Sequence, residues 1–374
     1  MNKTNILHLI KSLGRGGAET LLPETLRYHD ISSFEFYYIY FLPWKNQLVA
    51  ELTSAGGIVK NFPASYNINI LLKVNEIIDY IKSNNITLIH CHLPWAGFLG
   101  RLIHFKTGIP VIYSEHNKQE RYHFLTRLIN KWTFNFQSLA IAVSDDVKTS
   151  INNSIHPRIP VKTISNGIDT LKFSRNTIAG DAIRNDLGIA NKNIVIGSLG
   201  VFRVQKRLDK WLEVFAAIHK LLPMVRGVLV GDGPLKNQLI KKRSELGLDE
   251  VVIMPGLKSN SSDWLSAMDI FMMSSEFEGM PLALLEAMSC SCAVICTNAG
   301  GIKEVIRHEQ DGILTELHDW PLLIAHLNEL VLNEELKSSL AVSARQRVID
   351  QFSIQRMVNE LETVYNSYAP QKRD

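Results

Sequence analysis

Two carboxylates, Glu278 and Glu286, bracket the run Gly279-Met280-Pro281-Leu282. The apolar stretch Asp269–Met273 before them reads as a strand feeding a polar loop. Pro281 then opens an apolar helix, because proline suits a first helical position where no N–H is required. This reading puts Glu286 about two turns into that helix. A helix start offers free backbone N–H groups and a positive dipole end, a ready site for an anion. Carboxylates on either side accept hydrogen bonds from sugar hydroxyls. Together they suit a sugar joined to phosphate, as in a sugar nucleotide.

Other residues carry chemistry elsewhere in the chain. The run Gly14-Arg15-Gly16-Gly17-Ala18-Glu19 lies between a strand and a helix, a second phosphate-binding candidate. It lacks the third glycine of a dinucleotide fingerprint. Glu35, at about the right distance to bind a ribose, begins the second strand instead of ending it, which argues against a nicotinamide cofactor. His90 and His92 share one side of a strand, but the sequence shows no third ligand beside them. Glu115-His116-Asn117 leaves another strand end. Cys290, Cys292 and Cys296 have no zinc spacing; with Cys91 they read as free buried thiols in a reducing compartment.

The elements that must position these residues alternate. Strands are expected at Asn5–Ile10, Phe34–Phe41, 57–60, 87–91, 110–114, 138–143 and 159–164, with helices between them from after Glu19 to about His29, at 71–83, 96–105, 120–136 and from Ser144. A second series begins at Asn193, after a weakly patterned stretch to about Asn191, and helices from Asp319 to about Ser367 close it. Such alternation specifies parallel sheets covered on both faces, with ligands beyond the carboxyl ends of the strands. The fold class is α/β, with two doubly wound Rossmann-like domains whose sheets face a cleft. The domains are placed at 1–170 and 171–352, with a last helix, about 353–370, packing back on the first.

A chain of 374 residues exceeds one ordinary core, and 46% hydrophobic with 21% charged residues is a globular balance. The net charge of +3 is too small to point to nucleic acid. Residues 1–170 hold 17 Lys/Arg against 12 Asp/Glu, leaving the first half mildly basic, which suits an anionic acceptor or membrane surface. No run reaches the roughly 18 apolar residues of a spanning helix, and the first apolar run is too short for a signal peptide. A cytoplasmic protein, peripheral at the inner face of the membrane, is the expectation.

In order, Gly16-Gly17-Ala18-Glu19, Glu115-His116, Ser165-Asn166-Gly167-Ile168-Asp169, Gly231-Asp232-Gly233-Pro234, Glu278-x7-Glu286 and Gly300-Gly301-Ile302-Lys303-Glu304 stand at strand ends. The chain thereby resembles the GT-B glycosyltransferases of retaining family 4, the group 1 glycosyl transferases, over nearly its whole length. The resemblance implies a nucleotide-sugar donor (UDP- or GDP-linked) and a saccharide or polyprenyl-linked glycan acceptor, in bacterial polysaccharide, lipopolysaccharide or capsule synthesis. It implies that Glu286 binds the ribose, Glu278 the transferred sugar, and the backbone around Gly279, Met280, Pro281 and Leu282 with Gly16 and Gly17 the diphosphate. Leu257 would lie against the base and His116 near the anomeric carbon. Many relatives place an arginine where Val201 stands here, so Arg203 and Lys206 are taken as the cations that stabilise the leaving diphosphate, with Arg207 facing solvent.

No Asp-x-Asp occurs, which agrees with a metal-independent reaction; no cofactor and no metal are expected. Two other readings remain, a sugar-nucleotide epimerase on the same fold and an inactive nucleotide-sugar-binding partner subunit. Residues Asn117–Phe136 are basic and aromatic, with Arg121, Phe124, Leu128, Lys131 and Trp132 at helical spacing, as expected of a helix touching an anionic membrane.

Overall fold

The structure is a computed structural model that describes residues 3–369. Its contacts divide the chain into two compact units. One takes the chain up to Asn166 together with the segment from Ile354 onward; the other is the intervening Gly167–Ser353.

The first unit holds seven parallel strands: β1 (Thr4–Ile10), β2 (Phe34–Tyr40), β3 (Ile58–Asn61), β4 (Leu88–His92), β5 (Val111–Glu115), β6 (Leu139–Ala142) and β7 (Val161–Thr163). Their order is β3-β2-β1-β4-β5-β6-β7. Ile6, Leu7, Leu9 and Ile10 are all inaccessible to solvent, as expected of a strand covered on both faces. Parallel pairing sets His8 beside His90 and Ile10 beside His92. Since strand side chains alternate, His8, His90 and His92 lie on one face. The Ile354–Tyr368 helix covers that face with an apolar stripe of Met357, Leu361 and Tyr365. Its Glu362 accepts from the Asp30 amide at 2.8 Å and meets His29 Nδ1 at 2.9 Å.

Two expected helices differ. The 71–83 region contains two, Asn67–Leu72 and Val74–Ser83, jointed at Lys73, where ψ is 2°. The 120–136 region contains a short 3-10 turn, Gln119–Arg121, and then a helix at Phe124–Thr133. Buried Glu115 draws Gln119 and Tyr122 to itself, and this tertiary demand overrides helical continuity.

The second unit has six parallel strands: β8 (Ile194–Leu199), β9 (Val225–Val230), β10 (Val252–Gly256), β11 (Ile270–Met273), β12 (Ala293–Thr297) and β13 (Ile313–Thr315). Their order is β10-β9-β8-β11-β12-β13. The stretch before Asn191 also holds a helix, Thr177–Asp186, capped by Asn176 through the Ala179 amide at 3.1 Å. Trp211 stacks on Phe215, and its indole N–H donates to the Met272 carbonyl at 3.1 Å, which ties a core helix to β11. All four cysteines are free and buried.

Candidate active site

In the second unit, β11 delivers the loop Ser274–Met280, and its neighbours stitch it down. Ser274 Oγ donates to the carbonyls of Lys206 and Arg207, at 3.0 and 2.9 Å. The Glu276 amide donates to Gln205 at 2.8 Å, and Thr297 Oγ1 donates to Ser275 at 2.5 Å. The Gly301 amide donates to the Glu278 carbonyl at 2.9 Å. Gly300 permits this approach. Its φ is +61°, and a Cβ there would lie 2.1 Å from the Glu278 carbonyl oxygen. Likewise Gly231, at φ +143°, passes where a Cβ would lie 1.9 Å from the Gly200 oxygen. Phe202 also donates its amide to Asp232 at 2.9 Å. Gly231-Asp232-Gly233-Pro234 therefore shapes the segment Gly200–Arg207, and Gly300-Gly301 shapes the Glu278 loop.

The two shaped segments meet at one ion pair. Lys206 Nζ donates to Glu278 Oε1 at 2.7 Å, and Ser275 Oγ donates to the same oxygen at 2.6 Å. Glu278 is 7% exposed, so two donors meet a nearly buried carboxylate. Arg203 is exposed. Arg207 does not simply face solvent, since its Nε donates to Asp209 at 3.3 Å.

The helix after the loop spans Leu282–Ser289. Pro281 is its cap, at φ −78° and ψ 101°, rather than its first helical residue. The extended ψ places the proline outside the helix. Glu286 is thus just over one turn in, not two, and is half-buried. Leu257 follows the end of β10 and is 66% exposed.

In the first unit, Glu115 at the end of β5 is fully buried and collects donors. They are Tyr113 Oη at 2.7 Å, Gln119 Nε2 at 2.7 Å, Tyr122 Oη, and the amides of His116 and Asn117 at 3.0 and 3.2 Å. Burial pushes its carboxyl up, and the hydrogen bonds from Tyr122, Tyr113 and Gln119 oppose that. Glu115 therefore sets the backbone from which His116 projects. Burial holds the His116 ring down to about 4, uncharged, and its Nε2 has no partner. The Gly14, Gly16 and Gly17 run has no positive φ. Its helix starts at Gly17 and ends at Leu26.

His116 and Ala18, next to Gly17, line one cavity of about 30 Å³, together with His8, His90, His92 and Tyr365. The third histidine beside His90 and His92, absent from the linear sequence reading, is His8. Only the β1–β4 pairing brings it there.

Two family models match the chain in succession. Residues 15–172 match the model described as Glycosyltransferase Family 4, and residues 180–347 match Glycosyl transferases group 1. The chain is a group 1 glycosyltransferase. Its two Rossmann-like sheets are those of the GT-B fold. HepE of Anabaena, solved in complex with UDP-glucose, superposes with a TM-score of 0.87 over 97% of this chain and 99% of that one, at 22% identity. An Escherichia coli relative, UDP-Gal:alpha-D-GlcNAc-diphosphoundecaprenol alpha-1,3-galactosyltransferase, is 26% identical over 315 residues, covering 80% of this chain and 81% of its own. A Campylobacter jejuni relative, N-acetylgalactosamine-N,N'-diacetylbacillosaminyl-diphospho-undecaprenol 4-alpha-N-acetylgalactosaminyltransferase, is 27% identical over 197 residues, 52% of this glycosyltransferase and 51% of that one.

Proposed function

We propose that this glycosyltransferase moves a sugar from a nucleoside-diphosphate donor to a saccharide or polyprenyl-linked glycan in bacterial surface-polysaccharide synthesis. The anomeric configuration is retained and no metal bridges the diphosphate. The observation that carries this reading is the Lys206–Glu278 pair at 2.7 Å, beside a helix start. It sets a cation and a carboxylate side by side, one for phosphate and one for sugar hydroxyls. The names of the Escherichia coli and Campylobacter jejuni relatives, both transferases onto diphosphoundecaprenol-linked sugars, support the acceptor class.

In this reading the amides of Gly279, Met280 and Leu282 hold the diphosphate, Glu286 binds the ribose, and the Leu257 backbone flanks the base. Negative charge grows on the diphosphate as the glycosidic bond lengthens. Lys206 and Arg203 stabilise it without reorganisation of water. A bound diphosphate gives Lys206 a second anion, while Ser275 Oγ remains on Glu278 to orient it toward the sugar. His116, uncharged, steadies the sugar near its anomeric carbon.

The test is donor turnover with UDP- and GDP-sugars and a membrane extract, measured as nucleoside diphosphate released. Lys206→Ala is expected to slow transfer roughly 10²-fold or more, the scale for one transition-state donor. Glu286→Ala is expected mainly to weaken donor binding. Wild-type rates and binding in both variants would overturn the assignment.

A further inference from the structure

The geometry points to a transition-metal site in the N-terminal unit: His8, His90 and His92 form a three-imidazole cluster that binds a divalent ion of the zinc class. Each ring offers one nitrogen, and the three lie within 4.8 Å of one another. The rings are 3%, 1% and 6% exposed. His8 Nδ1 and His92 Nε2 stand 3.0 Å apart. Tetrahedral zinc, with Zn–N of about 2.0–2.1 Å, sets its ligand nitrogens roughly 3.3 Å apart. Two ligands therefore already stand near their required spacing, and His90 completes the set by a ring movement of about 1–2 Å.

The polar atoms around the rings favour the same reading. In the hydrogen-bonded arrangement one proton lies between His8 and His92, and His8 Nε2 and His92 Nδ1 are buried without partners. Whichever ring donates, one of these outer nitrogens carries a stranded N–H and the other a stranded lone pair. Metal binding moves the shared proton, so that both outer nitrogens carry N–H and both inner ones present lone pairs. No net proton is taken up or released. His90 is bonded on both sides, to Tyr365 Oη and Ser114 Oγ, each at 2.8 Å. One nitrogen can turn to the metal while the other keeps a hydroxyl, the outer-shell contact that fixes a ligating imidazole. The adjoining cavity of about 30 Å³ has room for about two waters. One completes the coordination and another meets the N–H groups.

Imidazole-only donation selects zinc, cobalt, nickel or copper over magnesium and calcium. The ion would brace β1 against β4 and fix the floor of the cavity that His116 also lines. This assignment is independent of the donor chemistry, in which no metal takes part.

The test uses the full-length chain without a polyhistidine tag, stripped with chelator and titrated with Co²⁺. One equivalent is expected to bind, with the visible bands of a tetrahedral centre, and zinc displaces it. Proton NMR of the cobalt form should show three strongly shifted, exchangeable imidazole N–H signals. That readout needs no variant. His8→Asn and His92→Asn, checked for folding by circular dichroism, should each lose more than the roughly 10–100-fold in affinity that an outer-shell change costs. His308→Ala, in the other unit, should bind as wild type. Absence of tetrahedral bands, fewer than three shifted signals, or unchanged affinity in folded His8→Asn and His92→Asn would each overturn the site.

Discussion

Glu115 shows how much one residue can organise. Its carboxylate accepts from three side chains and two amides while fully buried. Glu115→Ala strands those donors, at about 1–3 kcal/mol for each one left unpaired. The N-terminal unit should lose about 3 kcal/mol or more in denaturant titration; a loss under about 1 kcal/mol would mean that water replaces the carboxylate. The buried histidines make a second prediction. Burial holds His8, His90 and His92 well below the usual imidazole value, and His116 at about 4. The unfolded chain keeps values near 6.5. Below about pH 6.5 the unfolded state therefore binds more protons, and stability falls with pH. The contribution is intact above about 6.5, and each ring removes up to about 1.4 kcal/mol per pH unit below it, until its folded value is reached. The urea midpoint should drop between about pH 7.5 and about pH 5; an unchanged midpoint would show that the rings protonate in place. At this scale the sequence was informative where a motif is contiguous. Glu278, Lys206 and His116 could be singled out from their neighbours. His8 could not, because its partners are 82 and 84 residues away and strand order is not written in local spacing.

At the scale of elements, the alternation of apolar runs and amphipathic segments made the two parallel sheets legible. What it missed were the joints. Lys73 divides a helix, and Glu115 converts the start of another into a 3-10 turn. Both depend on contacts that no periodicity records. Glycines behave oppositely, since their reason lies in close backbone approach. Gly300→Ala forces a Cβ against the Glu278 carbonyl at a positive φ. The loop must shift, and a displacement of about 1 Å in a positioned group can cost roughly 10² in rate. We expect kcat/KM for the donor to fall by about that factor while the thermal melt of the C-terminal unit moves little. Unaltered kinetics would mean that this loop does not set the geometry of the reaction.

At the scale of the whole molecule, the N-terminal unit presents a face of Phe105, Phe124, Leu125, Trp132 and Phe136, each at least half exposed. Arg121, Arg127 and Lys131 accompany them, and no acidic residue lies between 121 and 136. Among the described residues no helix is long and apolar enough to cross a membrane. We propose that this face rests on an anionic lipid surface, with aromatic rings at headgroup depth and the basic side chains on lipid phosphates. Liposome flotation should recover the protein with anionic but not neutral vesicles, and added salt should weaken the recovery. Trp132→Ala with Phe124→Ala should abolish it; indifference to lipid charge would sink the idea. The sugar and linkage are not legible from either sequence or fold, because specificity lies in pocket shape rather than in the shared scaffold.

The path of the chain has a further consequence. The Ile354–Tyr368 helix belongs to the first unit and lays Tyr365 over His90. A ribosome delivers that helix only after the whole of the second unit. The N-terminal sheet thus leaves the exit tunnel with one face bare, and its histidines stay wet until the second unit has been made. The first unit is thus completed only after the second has been made, and until then its uncovered sheet is open to misassembly.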